Sequence, residues 1–334
     1  MMLMSAAGDV VHALPLVTAL KRYRPACTIS WILQPVPATM VRGHPSVDDI
    51  IEFDRSRGVH SFTELRPRLR AHEFDLLIDL QVYFKAGIVT ALADATVKLG
   101  FDRARARDLN WLFTNRKIPA RPIRHVQDQY LEFLEYLEVP YAPLEWNIGP
   151  WAGERAWQAE WISQFERPVA AIVIATSKPE KDWLPERWAA VCDALYSDYG
   201  LQPVLVGGRS ARELDAERII RERATTPIRA ELGSGLRKLI SILDASALVL
   251  APDTGPLHMA VAMNRPVISL LGYTNPKRTG PYRRFHDLMI DAYANDGEDY
   301  VPTMENRPGR MPRITVDDVL ARVDVWRQRY SASR

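Results

Sequence analysis

Short apolar runs alternate with longer amphipathic stretches along most of this 334-residue chain. The short runs are rich in Val, Ile and Leu, which is typical of parallel strands buried on both faces. The longer stretches repeat their apolar residues at helical spacing, as crossover helices do. In the first half this pattern predicts strands at residues 28–33, 49–53, 74–80 and 97–101 and helices at 10–23 and 126–137.

The same alternation resumes in the second half, after a segment that has neither period. Residues 139–153 concentrate Pro, Gly and Trp, which indicates a connector. Beyond it we predict strands at 169–175, 203–206, 247–251 and 267–271 and helices at 185–198, 212–223 and 236–243. Thr315, followed closely by two aspartates, predicts the start of a last helix that runs to residue 329.

The pattern therefore predicts an α/β protein of two domains, residues 1–150 and 151–334. The length exceeds that of one average domain, and the 47% hydrophobic content suffices for two cores. The terminal helix at 315–330 is a candidate for packing back on the first domain. Sheets of this kind bind ligands at the carboxyl ends of their strands, so we expect the chemistry at strand-to-helix turns.

Composition narrows the class of protein. The net charge of +2 with 25% charged residues argues against disorder and against general nucleic-acid binding. Cys27 and Cys192 lie far apart without metal-site spacing, which favours a reducing compartment. Polar residues and a proline interrupt residues 1–20, and no apolar run reaches the ~18 residues that span a bilayer. We expect a cytoplasmic protein, with peripheral contact at the inner face of the membrane as a further hypothesis.

The first strand-to-helix turn is a small-residue loop that places Asp9 at the amino end of a helix. This carboxylate is either a helix cap that accepts backbone N–H groups or a general base that accepts the proton of an attacking hydroxyl. His12, one turn further on, is either an ordinary core or surface histidine or a substrate contact.

The second turn, at residues 176–188, places Thr176, Ser177 and Lys181 before a predicted helix. Helix amino ends attract phosphate, and hydroxyl and ammonium groups add donors and positive charge. The alternative is a solvated loop with an accidental lysine.

The third turn, at residues 253–258, lies between a buried strand and a helix. Thr254 and the amides beyond Gly255 are placed to hold a diphosphate, Asp253 to accept from sugar hydroxyls, and His258 to assist a leaving group. An Asp-Thr-Gly sequence alone is weak evidence, because it also occurs in ordinary turns and in proteases. The strand-turn-helix context makes it stronger here.

Taken in order, four stretches resemble the heptosyltransferases of glycosyltransferase family 9, which assemble the lipopolysaccharide inner core. They are SAAGDVVHALP, DLQVYFKAG, TSKPEKDWLPERW and PDTGPLHMAVAMNRPVISLLGYTNPKRTGPY. The resemblance extends over nearly the whole chain, and the ordered set is more specific than any single stretch. Members usually have a full strand before the first turn, whereas only residues 1–4 precede Ser5 here. Either the first strand is short or the start site is late.

The resemblance implies a GT-B fold, in which two Rossmann-like domains with parallel sheets face each other across a central cleft. The first would bind the acceptor and the second the nucleotide sugar. It implies that Asp9 is the general base and that Lys181 and His258 assist the departing diphosphate. The implied donor-binding residues are Thr176, Ser177, Lys181, Asp253, Thr254, Gly255, His258 and, with an alignment that could slip by one residue, Glu213 as the ribose ligand.

A local excess of positive charge suits an acidic acceptor. Residues 98–125 carry eight Lys or Arg against two Asp, and guanidinium and ammonium groups bind carboxylate and phosphate well. For each residue taken singly, a solvated charged face is an equal alternative. Together with His12, the acceptor-side candidates are Arg55, Arg57, Lys85, Arg107 and His125. The chain carries no nucleic-acid-binding motif, so we expect no such partner.

The sequence therefore predicts an inverting enzyme that transfers heptose from ADP-heptose to an acidic lipopolysaccharide-core acceptor. No convincing DxD sequence occurs, so we expect no catalytic metal. We also expect a monomer that needs no cofactor. Three alternatives stay open: a GT-B transferase that uses another nucleotide sugar, a nucleotide-sugar epimerase, and a non-catalytic nucleotide-sugar-binding protein.

Overall fold

The computed structural model describes residues 1–331 and divides the chain into two compact units, Met1–Asn147 and Ile148–Arg334. Each unit is an α/β structure around a parallel sheet.

The first unit follows the predicted alternation, with additional short elements. Its strands are β1 (Ser30–Leu33), β2 (Asp49–Glu52), β3 (Phe74–Ile78), β4 (Ala95–Gly100) and β5 (Arg116–Lys117). Its helices are α1 (Ala7–Tyr23), α2 (Pro35–Val41), α3 (Val59–Arg70), α4 (Phe84–Leu92) and α5 (Val126–Tyr136). All strand pairs are parallel.

Residues 1–4 complete the first sheet. Met2 makes parallel bridges to Ile32 on one side and to Asp79 on the other. Its amide donates to the Ile78 carbonyl at 2.8 Å, and the Leu80 amide donates to the Met2 carbonyl at 3.0 Å. This short first strand therefore joins the β1–β2 pair to the β3–β4–β5 group, in the order β2, β1, residues 1–4, β3, β4, β5.

The strands described in the second unit form one continuous sheet. They are β6 (Val169–Val173), β7 (Gln202–Gly207), β8 (Arg229–Leu232), β9 (Leu248–Pro252), β10 (Val267–Leu271) and β11 (Met289–Asp291). The helices are α6 (Ala152–Ile162), α7 (Pro185–Ser197), α8 (Ala211–Arg223), α9 (Leu236–Ala245), α10 (Gly255–Ala262), α11 (Pro276–Thr279) and α12 (Val316–Arg329). The sheet order is β11-β10-β9-β6-β7-β8.

Both sheets have the strand order of a Rossmann fold. Numbered along the chain within each unit, the described strands run 3-2-1-4-5-6 in space. The order reverses between residues 1–4 and β3 in the first unit, and between β6 and β9 in the second. Ligands of such sheets bind beside this reversal, outside the carboxyl ends of the strands. The turns that begin at Ser5 and Gln81, and those at Thr176 and Asp253, lie at these two positions.

The core explains the continuous apolar runs of the sequence. Every residue of β6, β9 and β10 is buried, since helices cover both faces of the sheet. Trp183 is fully buried and donates to the Ile314 carbonyl at 3.1 Å, which fixes the segment before α12. The terminal helix α12 packs on α7, β10 and β11 of its own unit, where Trp326 donates to the Ala247 carbonyl.

Candidate functional site

Asp9 lies in the first turn of α1, directly after the short first strand. Its Oδ2 accepts a hydrogen bond from the Ala6 amide at 3.0 Å, and the residue is half-buried. Asp9 thus makes the helix-capping contact, the first of the two roles that the sequence left open for this carboxylate. Because the contact also fixes the carboxylate at the sheet edge, it is compatible with a role as general base.

His12 of α1 lies beside His125, which precedes α5, and Gln127 of α5 is bonded to both residues. Their ring centroids are 5.5 Å apart, and His12 is only 4% exposed. Gln127 Nε2 donates to the His12 carbonyl at 2.7 Å, and the His125 Nδ1 accepts from the Gln127 amide at 3.1 Å. This arrangement joins α1 to the start of α5 and places both predicted histidines in one cluster.

A cavity of about 470 Å³ lies beside the strand-order reversal of the first unit. Gln81 connects its two sides, because its Oε1 accepts from the Met4 amide and its Nε2 donates to the Ser5 carbonyl, both at 3.2 Å. The cavity contains two of the predicted acceptor contacts. Its lining residues are Met4, Arg55, Gln81, Tyr83, Phe84, Lys85, Ala86 and Asp108.

Asp79 binds the backbone of Gln81, one of the residues that line this cavity. It is fully buried at the end of β3 and accepts from the Gln81 amide at 3.0 Å, the Thr90 hydroxyl at 2.9 Å and the Asn110 amide group at 3.2 Å. Burial raises the pKa of its carboxyl to about 6, although these hydrogen bonds oppose the change. Asp79 therefore holds the loop after β3 to α4.

The positive charge of residues 98–125 is less available than the sequence indicates. Arg105 is buried and binds Asp102 at 2.5 Å and Glu132 at 2.6 Å, while Arg121 binds Glu135 at 2.5 Å. Both guanidinium groups are therefore bound to acids of the same unit, Arg105 in a buried network and Arg121 at the surface.

The remaining acceptor candidates differ in their surroundings. Arg57 forms an exposed ion pair with Glu64 at 2.6 Å, apart from the lining of the cavity. Arg107 is exposed, and its amide donates to the Val82 carbonyl at 2.7 Å, close to the cavity. The structure thus brings Arg55 and Lys85 together, with Arg107 nearby, and leaves Arg57 outside this group.

In the second unit, Lys181 reaches across the strand-order reversal to Asp253. Its Nζ lies 2.7 Å from the Asp253 Oδ2 and donates to the Asp253 carbonyl at 3.3 Å. The side chains are 17% and 7% exposed, so the pair is largely shielded from water. The turn after β6 and the turn after β9 are therefore connected by one ion pair.

Asp253 is the centre of a wider network. Thr274 and Thr279 donate to its Oδ2, the latter at 3.3 Å, and the His258 Nε2 lies 3.5 Å from its Oδ1. Burial favours the protonated acid, but the hydrogen bond from His258 and the charge of Lys181 outweigh it and hold the pKa well below its usual range. Asp253 is therefore an anion that holds four side chains, those of Lys181, His258, Thr274 and Thr279.

The turn after β6 is held in shape by its own residues. The Thr176 amide donates to Asp182 at 2.6 Å, and its hydroxyl donates to the Lys178 carbonyl at 2.7 Å. Arg212 of α8 binds both Asp182 and the Thr176 carbonyl. Burial raises the pKa of Asp182. Thr176 thus uses its polar groups within the loop, whereas Ser177 is exposed beside it.

The other predicted donor contacts occupy helix starts. Glu213 accepts from the Gly208 amide at 2.5 Å and from the Ser210 amide at 2.8 Å, as the acidic partner of a capping box on α8. Thr254 is the N-cap residue of α10, and Gly255 is its first residue. Thr254 and Gly255 directly follow Asp253, whereas Glu213 lies at the turn after β7.

Sequence reasoning missed several residues that organise this site. Thr274 and Thr279 lie within the last quoted stretch, but nothing in the sequence shows that the loop after β10 folds over Asp253. Asp182 and Arg212 are 30 residues apart, and their contact depends on the packing of α8. Gln81 lies in the stretch DLQVYFKAG, but the sequence predicted no role for it.

Within residues 1–331, no cluster of three or more His, Cys, Asp or Glu side chains is arranged to hold a metal ion. None of the helices in this range has the length and apolarity needed to cross a membrane.

Solved structures with the same arrangement of elements show which fold the chain has. The glycosyl transferase family 9 protein from Veillonella parvula superposes with a TM-score of 0.80 at 21% identity, covering 97% of this chain and 95% of that one. E. coli heptosyltransferase WaaC with ADP gives 0.74 at 23% identity, covering 98% and 97%. The chain therefore has the GT-B fold, which confirms the predicted fold class.

The sequence comparison identifies the family. The profile described as Glycosyltransferase family 9 (heptosyltransferase) matches residues 62–295. The lipopolysaccharide core heptosyltransferase OpsX of Haemophilus influenzae is 31% identical over 296 residues, covering 88% of this chain and 84% of that protein. Lipopolysaccharide heptosyltransferase 1 of Escherichia coli K12 is 27% identical over 292 residues, covering 83% and 88%. The chain belongs to glycosyltransferase family 9, the heptosyltransferases, and is a glycosyltransferase, as the sequence predicted.

Proposed function

We propose that this enzyme transfers a heptose from ADP-heptose to an acidic lipopolysaccharide inner-core acceptor, with inversion at the anomeric carbon. The names of the relatives support the reaction, since one is a lipopolysaccharide core heptosyltransferase. The donor is supported by structures of WaaC with ADP and with ADP-2-deoxy-2-fluoro heptose.

The observation that carries the proposal is the buried Lys181–Asp253 pair at the strand-order reversal of the second unit. An ammonium group has three donors, and Asp253 accepts through its carboxylate and its carbonyl. Lys181 thus remains able to donate to a diphosphate oxygen while Asp253 fixes its position. Thr254 and Gly255 at the start of α10 add backbone donors and a favourable helix dipole.

Around this pair the remaining donor contacts have different tasks. Ser177, exposed next to Lys181, donates to the diphosphate. Thr176 shapes the loop, because its own polar groups are bonded within it. Glu213 orients the glycine turn after β7, and through this turn the ribose. His258 lies against Asp253 and assists the leaving group.

The acceptor lies in the cavity of the first unit, where Arg55 and Lys85 bind its acidic groups. Arg107 contributes from the rim, and His12 and His125 position the neighbouring helices. Arg57 acts through the conformation of its loop, since Glu64 holds its guanidinium.

Transfer is then a single displacement. The acceptor hydroxyl oxygen attacks the anomeric carbon as its proton passes to the Asp9 carboxylate. The bond from the anomeric carbon to the β-phosphate oxygen breaks, and its electron pair leaves with ADP. Lys181 and the start of α10 stabilise the negative charge that develops on the diphosphate. No metal is required for any of these steps, and the monomer works in the cytoplasm at the inner face of the membrane.

The direct test is mass spectrometry of the acceptor after incubation with ADP-heptose in EDTA. A lipid A–Kdo acceptor should gain one heptose, and UDP-glucose should give no product. Inverted configuration at the new bond is checked by NMR. A product only from a uridine donor, sugar release without acceptor, or complete loss of transfer in EDTA would contradict the proposal.

A further inference from the structure

Exposed apolar side chains cluster at the rim of the first-unit cavity. Tyr83 and Phe84 line the cavity at the start of α4 and are 48% and 41% exposed. Leu109 and Leu112 follow at the next loop and are 54% and 55% exposed. Contiguous exposed apolar surface of this kind marks an interaction site.

The two segments form one surface because several contacts join them. The Arg107 amide donates to the Val82 carbonyl at 2.7 Å, and Asn110 Nδ2 donates to the Tyr83 carbonyl at 3.1 Å. Phe113 packs on Phe84, with ring centroids 5.4 Å apart. The Phe113 ring also fills the space that a side chain at Gly87 would occupy, 2.1 Å from an ideal Cβ.

Leu109 is held outward by a backbone conformation that leucine disfavours. Its φ is 62° and that of Asp108 is 50°, both in the left-handed region. Glycine or asparagine adopts this conformation more readily. Since more than half of Leu109 is exposed, packing within the chain does not explain a leucine here. Backbone strain at an exposed apolar residue points to a role in binding.

Cations surround the apolar cluster. Lys85, Arg103 and Arg107 are exposed, whereas Asp108 is the exposed carboxylate of these segments. The Arg103 guanidinium lies 4.7 Å from the centroid of the Trp111 ring, which places an aromatic ring and a cation side by side. Such a surface matches an anionic bilayer, because apolar side chains can enter the acyl-chain layer while Lys and Arg bind the charged head groups above it.

We infer that Tyr83, Phe84, Leu109 and Leu112, with Lys85, Arg103 and Arg107, form a surface that docks on an anionic lipid bilayer. The inference rests on the proposed function, because a lipid-linked acceptor resides in such a bilayer. Since Tyr83, Phe84 and Lys85 also line the cavity, docking brings the cavity mouth to the head-group layer. The enzyme then takes the acceptor sugar without removing its lipid from the membrane.

The test is flotation of the full chain with vesicles. Wild type should bind phosphatidylglycerol–phosphatidylethanolamine vesicles, bind pure phosphatidylcholine at least tenfold more weakly, and dissociate as salt rises. Leu109→Asn combined with Leu112→Ser should lower the partition coefficient at least tenfold, and Arg103→Gln about fivefold. The matched control, Leu214→Ser with Val301→Ser, replaces exposed apolar residues of the second unit and should bind like wild type.

Several outcomes would overturn the inference. One is equal binding of wild type and the leucine variant to anionic vesicles; another is no binding by wild type. Light scattering that shows a dimer in wild type and a monomer in the leucine variant would assign the surface to a second copy instead. Circular dichroism checks the fold, and Arg103→Gln supplies an independent variant if the leucine variant does not fold.

A soluble, deacylated acceptor separates this inference from the proposed function. The leucine variant should transfer heptose to it at the wild-type rate, and lose at least tenfold with the acceptor in vesicles. If wild type transfers heptose to the soluble acceptor but does not bind vesicles, the proposed reaction is retained and the membrane-docking surface is refuted. Vesicle binding that depends on both leucines, without transfer to either acceptor, would refute the reaction alone.

Discussion

At the scale of single residues, Asp9 has both a structural contact and a proposed chemical role. Its carboxylate accepts from the Ala6 amide, as a first-turn acid of a helix does. Asp318 has the equivalent position in α12, where it accepts from the Thr315 amide at 2.8 Å. Comparing the two acids separates helix capping from catalysis.

Replacing Asp9 by Asn should lower kcat by about 10²- to 10⁴-fold, because the amide cannot accept the acceptor proton. Affinity for the donor, measured by titration calorimetry, should change by less than about threefold. Asp318→Asn is the matched control and should retain the wild-type rate. If Asp9→Asn transfers heptose nearly as fast as wild type, Asp9 is only a capping residue.

The buried carboxyl of Asp79 should make the stability of the protein depend on pH. This carboxyl has a folded-state pKa of about 6 against an ordinary value of 3.8, because burial disfavours the charged form. As pH rises from 4 to 6, the unfolded chain loses this proton before the folded chain does. The group's contribution to stability is therefore largest below pH 4 and falls by about 3 kcal/mol up to pH 7.

Urea denaturation of wild type and Asp79→Asn at several pH values checks this prediction. The stability of wild type relative to the variant should fall between pH 4 and 6 and stay constant above pH 7. Asp75→Asn, at an exposed position of the same strand, should show no such trend. A relative stability that is flat or rises with pH would show that Asp79 is ionised throughout the folded range.

At the scale of elements, Arg105 fixes the segment after β4 to α5. Its guanidinium binds Asp102 and Glu132 and donates to the Pro119 carbonyl at 2.9 Å. All three charged side chains are less than 10% exposed. The contact stabilises the region that carries Arg107 and the exposed leucines.

Arg105→Met should destabilise the protein by about 3–5 kcal/mol, since it leaves two buried carboxylates without their shared cation. The free energy of unfolding from urea titration measures this. Arg116→Met, at an exposed position of β5, should cost less than about 0.5 kcal/mol. Equal effects of the two substitutions would contradict a structural role for Arg105.

The sequence best predicted the elements that have a clear burial pattern along their whole length. β10 lies at the predicted residues 267–271, and β6 starts at the predicted residue 169, because both are apolar on both faces. Thr315 caps α12 as predicted and accepts from the Asp318 amide at 3.1 Å.

Other elements lack such a signal. α3 contains Pro67 and buries few residues, so its helical period is weak. α6 begins at Ala152, inside the predicted connector. The edge strands β5 and β8 are partly exposed and have no continuous apolar run.

At the scale of the whole molecule, the sequence predicted the turns that carry the chemistry but not the strand order that brings them together. The quoted stretches carry the turns at Ser5, Gln81, Thr176 and Asp253, which the sheet order brings together in pairs. Side-chain partners were less predictable, because they depend on packing. The charge of residues 98–125 indicated an open basic face, whereas Arg105 and Arg121 are bound to neighbouring acids.

In the proposed reaction Lys181, held by Asp253, binds the diphosphate of an adenine nucleotide sugar. Titration calorimetry with ADP-heptose, ADP and UDP in EDTA tests it directly. Lys178→Met is the control, because Lys178 is exposed in the same turn. A Lys181→Met, Asp253→Asn double variant avoids leaving a buried charge unpaired, and melting curves check the fold.

We expect wild type and Lys178→Met to bind ADP-heptose and ADP with similar affinity and to bind UDP much more weakly. The double variant should bind ADP-heptose at least tenfold more weakly while remaining folded. Preference for UDP, or unchanged ADP-heptose affinity in the folded double variant, would contradict the assignment of the donor site.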